Sequence, residues 1–505
     1  MAQWTDWNQK AEMLCSWALV TATAGLIWKL QSRRKPYNTL RSTCQFLLVN
    51  LILFSPVGRQ NWLWGIQLIV FVPLACLCFN LVVLDSHHRV WTKLLLICLS
   101  STVSTFSYAN GMLVWGITAP AYLWHNRPAL EKQPFRAIFL LMFMTFNVWL
   151  YFHDYVKPPY HPSFSAALFH PLEALQYFFA FTGLLFSAGL KSSAILTGVV
   201  IFSLWVMVGV MVAADRRNRS IIKTALPWLA IGILGLSSAV ITTLGRVGFG
   251  VNQALSSRYA AFGAPVFIGL IYLVPIMLER LHQYSPSTDN RPWLNRILSV
   301  MFIMFILVHI SSARSFLPGF RQNWQDRLKS KALITFSGVF PNIDAFRYVY
   351  PHPINSRAKE LDAIGYWHPK MAVSRDITPW AAPGGPYPER GALLVAQPVN
   401  ARQILCIGWT RLQQGPRAAD TVLLTYRLKG MPAEEIVAVV EHADLPPAAI
   451  LPPMAILPPS FLPVPYTEMR GFRALILPMN GAELRAWAFD AITGKAYLLP
   501  NAKEN

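Results

Sequence analysis

The stretch "GIQLIVFVPLACLCFNLVVL", Gly65 to Leu84, runs for 20 residues without a charge. A helix of that length, at ~1.5 Å per residue, reaches across the ~30 Å hydrocarbon core of a bilayer. Working outward, apolar runs bounded by charge or by Pro and Gly clusters recur near 12–30, 43–58, 92–107, 110–124, 136–152, 193–213, 222–243, 261–279 and 295–312. With 65–84 they predict about ten transmembrane helices. A chain of 505 residues that is 54% hydrophobic and only 13% charged is therefore read as a polytopic α-helical membrane protein.

The net charge of +20 is unevenly placed. Up to Arg314 there are 24 Lys and Arg against nine Asp and Glu, and beyond it 20 against 15. Loop arginines that set topology, facing anionic headgroups, account for this pattern, so membrane lipids rather than nucleic acid are the expected partners. The loops "QSRRKPYNTLR", "SHHRVWTK", "WHNRPALEKQPFR", "ADRRNRSIIK" and "ERLHQYSPSTDNRPWLNR" hold 16 of the basic residues. The positive-inside rule makes them cytoplasmic. The run "EALQYFFAFTGLLFSAGLKSS", Glu173 to Ser193, would put "DRRNRS" outside if it crossed, so it is read as a re-entrant or interfacial helix. Both termini are then outside. So are four polar connections: "GRQNWLWGIQ", "SYANG", "YFHDYVKPPYHPSFSAALFHP" and "GRVGFGVNQALSSRY".

After Phe316 the long apolar blocks stop. Three divisions follow: a transmembrane domain over 1–315, an extracytoplasmic linker with helices over 316–390, and a small β-rich domain over 391–505. In the linker, "LKSKALITF" and "NSRAKELDAIGYW" read as helical. From Gly391 onward "GALLVAQ", "RQILCIGWT", "DTVLLTYRL", "EIVAVVEH", "FRALILPM", "LRAWAFDA" and "KAYLLP" read as short strands between turn residues, which predicts an antiparallel β-domain. "LPPAAILPPMAILPPSFLPVP" is a proline-rich loop of polyproline II character. Of the six cysteines, five lie in or beside apolar runs, and no disulfide framework is implied.

Ionisable groups beside a membrane are costly, which makes them the first places to look for chemistry. Arg246 and Arg258 stand at the outer ends of adjoining spans, with Gln253 and Tyr259 between and beside them. Two guanidinium forks on a glycine-rich turn suit a phosphate or pyrophosphate. The bland reading is that both arginines anchor span ends at headgroups, with Tyr259 an interfacial aromatic. The connection from Tyr151 to Pro171 carries His153, Asp154, His161 and His170. Asp154 is a candidate general base, with His153 or His161 as proton partner, although a solvated loop with incidental histidines explains each residue singly. In the membrane half only Asp6, Glu12, Asp154 and Glu173 fall on the outer side, so a carboxylate base acting there comes from these four. Trp64 and Gln67, and Asn110 beyond them, offer an aromatic platform and amides for a sugar ring, against the ordinary interfacial belt. No metal site matches a standard ligand spacing, and no P-loop, GxSxG or HExxH motif is present.

The segments "NWLWGIQL", "FSYANGMLVWG", "PPYHPSF", "HPLEALQYFF" and above all "LGRVGFGVNQALSSRY" resemble a group of bacterial integral-membrane proteins similar to GT-C-type glycosyltransferases. The resemblance covers roughly residues 4–312. It implies a bacterial inner-membrane enzyme, with its C-terminal domain extracytoplasmic, that takes a sugar from a polyprenyl-phosphate donor and transfers it to an envelope glycan or lipid acceptor. It also implies that Arg246 and Arg258, with Gln253 and Tyr259, hold the lipid phosphate, and that an acidic residue near the first span, Asp6 or Glu12, or else Asp154, is catalytic. It leaves any divalent metal open. Where the family pattern has a first span and a long acidic outer loop, this chain has "MAQWTDWNQKAEM". The expectation is that a further span with catalytic carboxylates precedes it. Two other classes stay open on the residues: a transporter or flippase for a lipid-linked or anionic substrate, and a non-catalytic envelope-assembly protein.

Overall fold

The computed structural model describes residues 5, 8–33, 39–158, 161–215, 218–284, 291–341, 343, 354–412, 417–428, 430, 433–442 and 470–501. The chain divides into two compact units, Met1–Phe320 and Arg321–Asn505. Asp6 and the proline-rich segment lie outside the described residues.

The first unit is helical. Its longer helices are α1 (Gln9–Ser32), α2 (Thr39–Leu53), α3 (Leu68–Leu84), α4 (Val90–Ser107), α5 (Leu113–His125), α6 (Phe135–Phe152), α7 (Pro171–Gly183), α8 (Lys191–Ala214), α9 (Arg219–Arg246), α10 (Ala260–Tyr284) and α11 (Arg291–Phe316). Among the described residues nine helical stretches are long and apolar enough to cross a membrane. The expected tenth, at 110–124, is different. There α5 has only 13 residues after a 3-10 turn at Ala109–Met112, ~20 Å of α-helix, short of the hydrocarbon thickness. Yet it lies antiparallel against α4 and α3. Trp115 donates to Thr105 (3.0 Å), Asn80 of α3 donates to both Ser101 (3.0 Å) and Thr118 (3.3 Å), and Tyr122 donates to the Val90 carbonyl (3.5 Å). These bonds pair donors that have no water to turn to, the Asn80 amide nitrogen among them.

The run expected to be re-entrant is likewise short. Helix α7 ends at Gly183 and passes through a 3-10 turn at Leu184–Phe186, and the chain reverses at Ala188 and Gly189, both at positive φ. It returns as α8, packed so closely that a side chain at Gly183 would overlap the Ala194 carbonyl and one at Gly198 the Phe179 carbonyl. Small residues that let backbones approach are the usual packing device where lipid removes the hydrophobic driving force. The same device recurs deeper, where Gly232 of α9 and Gly269 of α10 leave room for the Trp205 ring of α8, whose indole donates to the Val266 carbonyl (3.2 Å). Helices α3 and α10 are mostly buried in the bundle, whereas α6 and α8 turn apolar side chains outward. At the ends carrying the basic loops, Arg41 pairs with Glu279 and Arg280 with Asp215 (2.8 Å), tying α2 and α8 to α10.

Among the described residues the second unit contains the remainder of α12 (Pro318–Phe336), α13 (Ile354–Ala363) and seven strands: β1 (Gly391–Asn400), β2 (Gln403–Thr410), β3 (Thr421–Leu428), β4 (Glu434–Val440), β5 (Arg470–Ile476), β6 (Ala482–Asp490) and β7 (Lys495–Leu498). All seven expected strands are present. They form two antiparallel sheets, β1-β2-β5 and β4-β3-β6-β7. The central strands β3 and β6 read as near-continuous apolar runs because both their faces are covered. Val422, Leu424, Ala486 and Ala488 face the core shared with Cys406 and Phe472, while Leu423, Trp487 and Phe489 meet Leu328, Ala332 and Phe336 of α12. At one edge of this core Arg417 is buried between Asp420 and Asp490, with Trp324 stacked on its guanidinium at 5.4 Å.

Candidate functional site

The stretch Gly245–Tyr259 leaves α9 at Arg246 and folds as three 3-10 turns, Val247–Phe249, Val251–Leu255 and Ser257–Tyr259, before α10 begins. Gly250 separates the first two at φ +88, a conformation that disfavours residues with a Cβ. Short 3-10 turns rather than helix keep polar side chains and backbone groups available at the end of two spans.

Two of the other three connections meet it, and the third meets the first turn of α10. From the 59–67 loop, Asn61 donates its amide to the Arg258 carbonyl (3.1 Å), and Ser256 donates to Gln60 (3.4 Å). The "SYANG" turn places the Tyr108 ring 5.0 Å from Phe262, one turn beyond Tyr259. From the long histidine-bearing connection, the His161 ring meets Phe249 edge-on at 6.5 Å, and Pro162 lies where a Cβ on Gly248 would come within 2.5 Å. Helix α7, which follows that connection, supplies Tyr177, fully buried, whose hydroxyl donates to Gln253 (3.0 Å).

Tyr177 is the hub. Burial and then the neighbouring Tyr259 push its pKa up, while the Arg246 and Arg258 guanidinium groups both pull it down. Both arginines therefore lie within electrostatic reach of one hydroxyl. Each also rests on an aromatic face, Arg246 on Phe249 (5.7 Å) and Arg258 on Tyr259 (5.3 Å), and Tyr259 in turn packs on Phe181 (5.4 Å). Half-buried arginines held flat on rings are well placed to present their forks to an anion. The site's positive potential reaches His161, whose pKa is lowered by burial and then by Arg246 and Lys157.

The candidate carboxylates separate. Asp154 is 89% exposed and pairs with His153 (3.0 Å), itself 51% exposed; this pair faces solvent and is not drawn into the convergence. Glu12, in the first turn of α1, is half-buried against Gly65, where any side chain would overlap its carboxylate. Its helix also packs Trp17 against Trp62 at 4.8 Å, the rings tilted by 35°, so the Glu12 end of α1 is joined to the loop that holds Arg258. Asp6 lies outside the described residues. Of the residues expected to meet a sugar, Trp64 is half-buried, while Gln67 and Asn110 are buried within 3-10 turns at the starts of α3 and α5. Among the described residues no group of three or more His, Cys, Asp or Glu side chains is placed to hold a metal ion.

Two residues escaped the sequence reading: Tyr177 and Asn61. Tyr177 sits in an apolar run like many interfacial aromatics, and Asn61 acts on a backbone carbonyl, so neither carries a motif. No protein-family model, curated protein or solved structure matches the chain.

Proposed function

We propose that the chain is a GT-C-like membrane glycosyltransferase. It moves a sugar from a polyprenyl-phosphate donor to an envelope glycan or lipid acceptor on the extracytoplasmic face of the bacterial inner membrane, with the C-terminal β-domain on that face. The observation that carries the reading is the meeting of the 59–67 loop, the histidine-bearing connection and Tyr177 of α7 at a turn with two arginines. In this reading Arg246 and Arg258 neutralise the lipid phosphate as it leaves the anomeric carbon, which is where negative charge grows in the transition state. Gln253 is held by Tyr177 for the same group. Glu12 is the carboxylate that takes the acceptor hydroxyl's proton; among the described candidates it has the structural tie to the Arg258 loop, through Gly65 and Trp62. Asp154, exposed and paired with His153, is not assigned this role.

The test is transfer from polyprenyl-phosphate-linked sugars by the full chain in proteoliposomes, comparing wild type with Glu12→Gln. The reading expects product from wild type and a loss of at least a hundredfold in the variant, with donor binding unchanged. Product formation that Glu12→Gln leaves intact removes Glu12 from the mechanism. No product with any donor, from a folded protein that binds the lipid, favours a second reading: movement of a lipid-linked anion. That reading draws support from the broken α7 and its reversal at Ala188–Gly189, since discontinuous helices mark substrate sites in transporters.

A further inference from the structure

The connection between α6 and α7, rich in histidine and proline, has the composition of a solvated loop, yet the surface it presents is apolar. Leu168 and Phe169, in the single helical turn Ala166–Phe169, are 79% and 78% exposed, and Phe164, Leu172 and Leu175 are exposed beside them. Scattered apolar residues on a surface are ordinary, but large ones gathered in one short stretch mark a contact with a partner or a membrane.

The stretch lies beside the end of a span rather than beyond it. A Cβ on Gly245, in the last turn of α9, would meet Phe164 at 3.7 Å, and one on Gly248 would meet Pro162 at 2.5 Å and Ala166 at 3.6 Å. Ala167 is buried. One side of the turn is thus seated on the arginine-bearing stretch, and Leu168 and Phe169 are left outside. Their surface is continuous with the faces that the spans turn outward. Within the turn before Gly245, α9 exposes Ile241 and Leu244. Past Leu175, Phe178 and Phe179 of α7 meet Phe202 of the outward-facing α8 edge-on, at 5.4 and 5.9 Å.

The backbone of the stretch is also closed to water. From Ser165 to His170 every amide donates within the segment, Ser165 to the Ser163 hydroxyl (3.2 Å) and the next five to carbonyls of residues 163–166. Pro171, which opens α7, has no amide to satisfy. Hydrocarbon demands internal pairing of this kind, and water does not. Lys157 lies over the Phe164 ring (5.3 Å) while its Nζ donates to the Pro162 carbonyl (2.7 Å), a cation held at the border of the patch with its stem on an apolar surface.

We infer that residues 164–175 dip into the membrane leaflet on the side of the arginine turn, so that the partner of this face is lipid hydrocarbon. Continuity with the outward faces of α8 and α9 names that partner, and the internally paired backbone suits it. The inference holds whether the chain transfers a sugar or moves a lipid, and it rests on neither reading.

The experiment uses the unmodified full chain in vesicles of phosphatidylethanolamine and phosphatidylglycerol. One preparation carries a phospholipid with a diazirine in its acyl chain, the other a phospholipid with a diazirine in its headgroup. After irradiation, peptide mapping by mass spectrometry locates the adducts. The exposed face of α6 around Phe146 is the internal standard for contact with hydrocarbon. The acyl-chain probe should label residues 164–175 to within about threefold of that standard, and more strongly than the headgroup probe does. Labelling by the headgroup probe alone, or by the acyl-chain probe at a level roughly tenfold or more below α6, overturns the inference, whether the face then meets water or a second copy of the chain.

Discussion

Replacing Arg417 by Met strikes the buried ion cluster of the C-terminal unit. The Arg417 side chain is 3% exposed and donates to Asp420 and to Asp490 (2.6 Å), whose side chains are 4% and 2% exposed. Methionine keeps an apolar stem under Trp324, so what is lost is chiefly the counter-charge. Removing one partner of a buried pair costs ~3–5 kcal/mol. Here each carboxylate retains a backbone donor, Ala491 N for Asp420 (2.8 Å) and Ile492 N for Asp490 (2.9 Å), so the lower part of that range, ~3–4 kcal/mol, is expected. Against the ~5–15 kcal/mol of a typical domain this is a large share. The assay is hydrogen exchange by mass spectrometry on the full chain in detergent. At ~1.4 kcal/mol per decade, amides of β3 and β6 should exchange roughly 100- to 1,000-fold faster.

The same cluster sets a pH dependence. Burial pushes Asp420 up to about 6, against the pull of Arg417 and the Ala491 amide. Its folded pKa thus lies above the ~3.9 of an unfolded chain, and between those values the folded state holds a proton that the unfolded state releases. The contribution of Asp420 to stability therefore falls as pH rises from ~4 to ~6. In Arg417→Met the carboxyl loses the pull of the arginine, so the deficit shrinks on acidification. A change in protection below about fivefold at pH ~7, or a deficit that grows in acid, refutes the reasoning.

Three further outcomes follow from the membrane unit. Gly198→Ala drives a methyl group into the Phe179 carbonyl at the α7–α8 crossing, and overpacking of this kind costs ~1–3 kcal/mol, which thermal unfolding in detergent reads as a lowered Tm; an unchanged Tm contradicts the close crossing. Tyr177→Phe removes the hydroxyl that holds Gln253, worth ~1 kcal/mol, so affinity for polyprenyl phosphate should fall by about fivefold; a loss of a hundredfold would give Tyr177 a direct role. Arg246→Ala should raise the pKa of His161 towards its ordinary value, because burial remains but the larger of its two cationic neighbours is gone; histidine-selective NMR titration measures this, and no upward movement places Arg246 elsewhere.

What the sequence made legible was decided by period and punctuation. The uncharged run at Gly65–Leu84 announced a span, and the strands of the β-domain stood out because turn residues bracket runs such as "TVLLTY" and "AWAF", buried on both faces. The length of α5 was not legible, since an apolar stretch looks the same whether it continues as helix or is taken up by a 3-10 turn at Ala109–Met112. Arg246 and Arg258 were legible as costly charges at span ends. Their gathering around Tyr177 was not, because it runs through a tyrosine in an apolar helix and through a backbone carbonyl held by Asn61. For the carboxylates, composition could only name candidates. Packing distinguished Glu12, wedged against Gly65, from Asp154, which faces solvent.

The measurement that bears most directly on the account is native mass spectrometry of the detergent-purified full chain with added polyprenyl phosphate, comparing wild type with Arg246→Ala and Arg258→Ala. The account predicts that wild type retains the lipid and that either substitution weakens retention by tenfold or more. Equal retention by all three, or none by any, would contradict it and leave "GRVGFGVNQALSSRY" an anchor at the membrane surface.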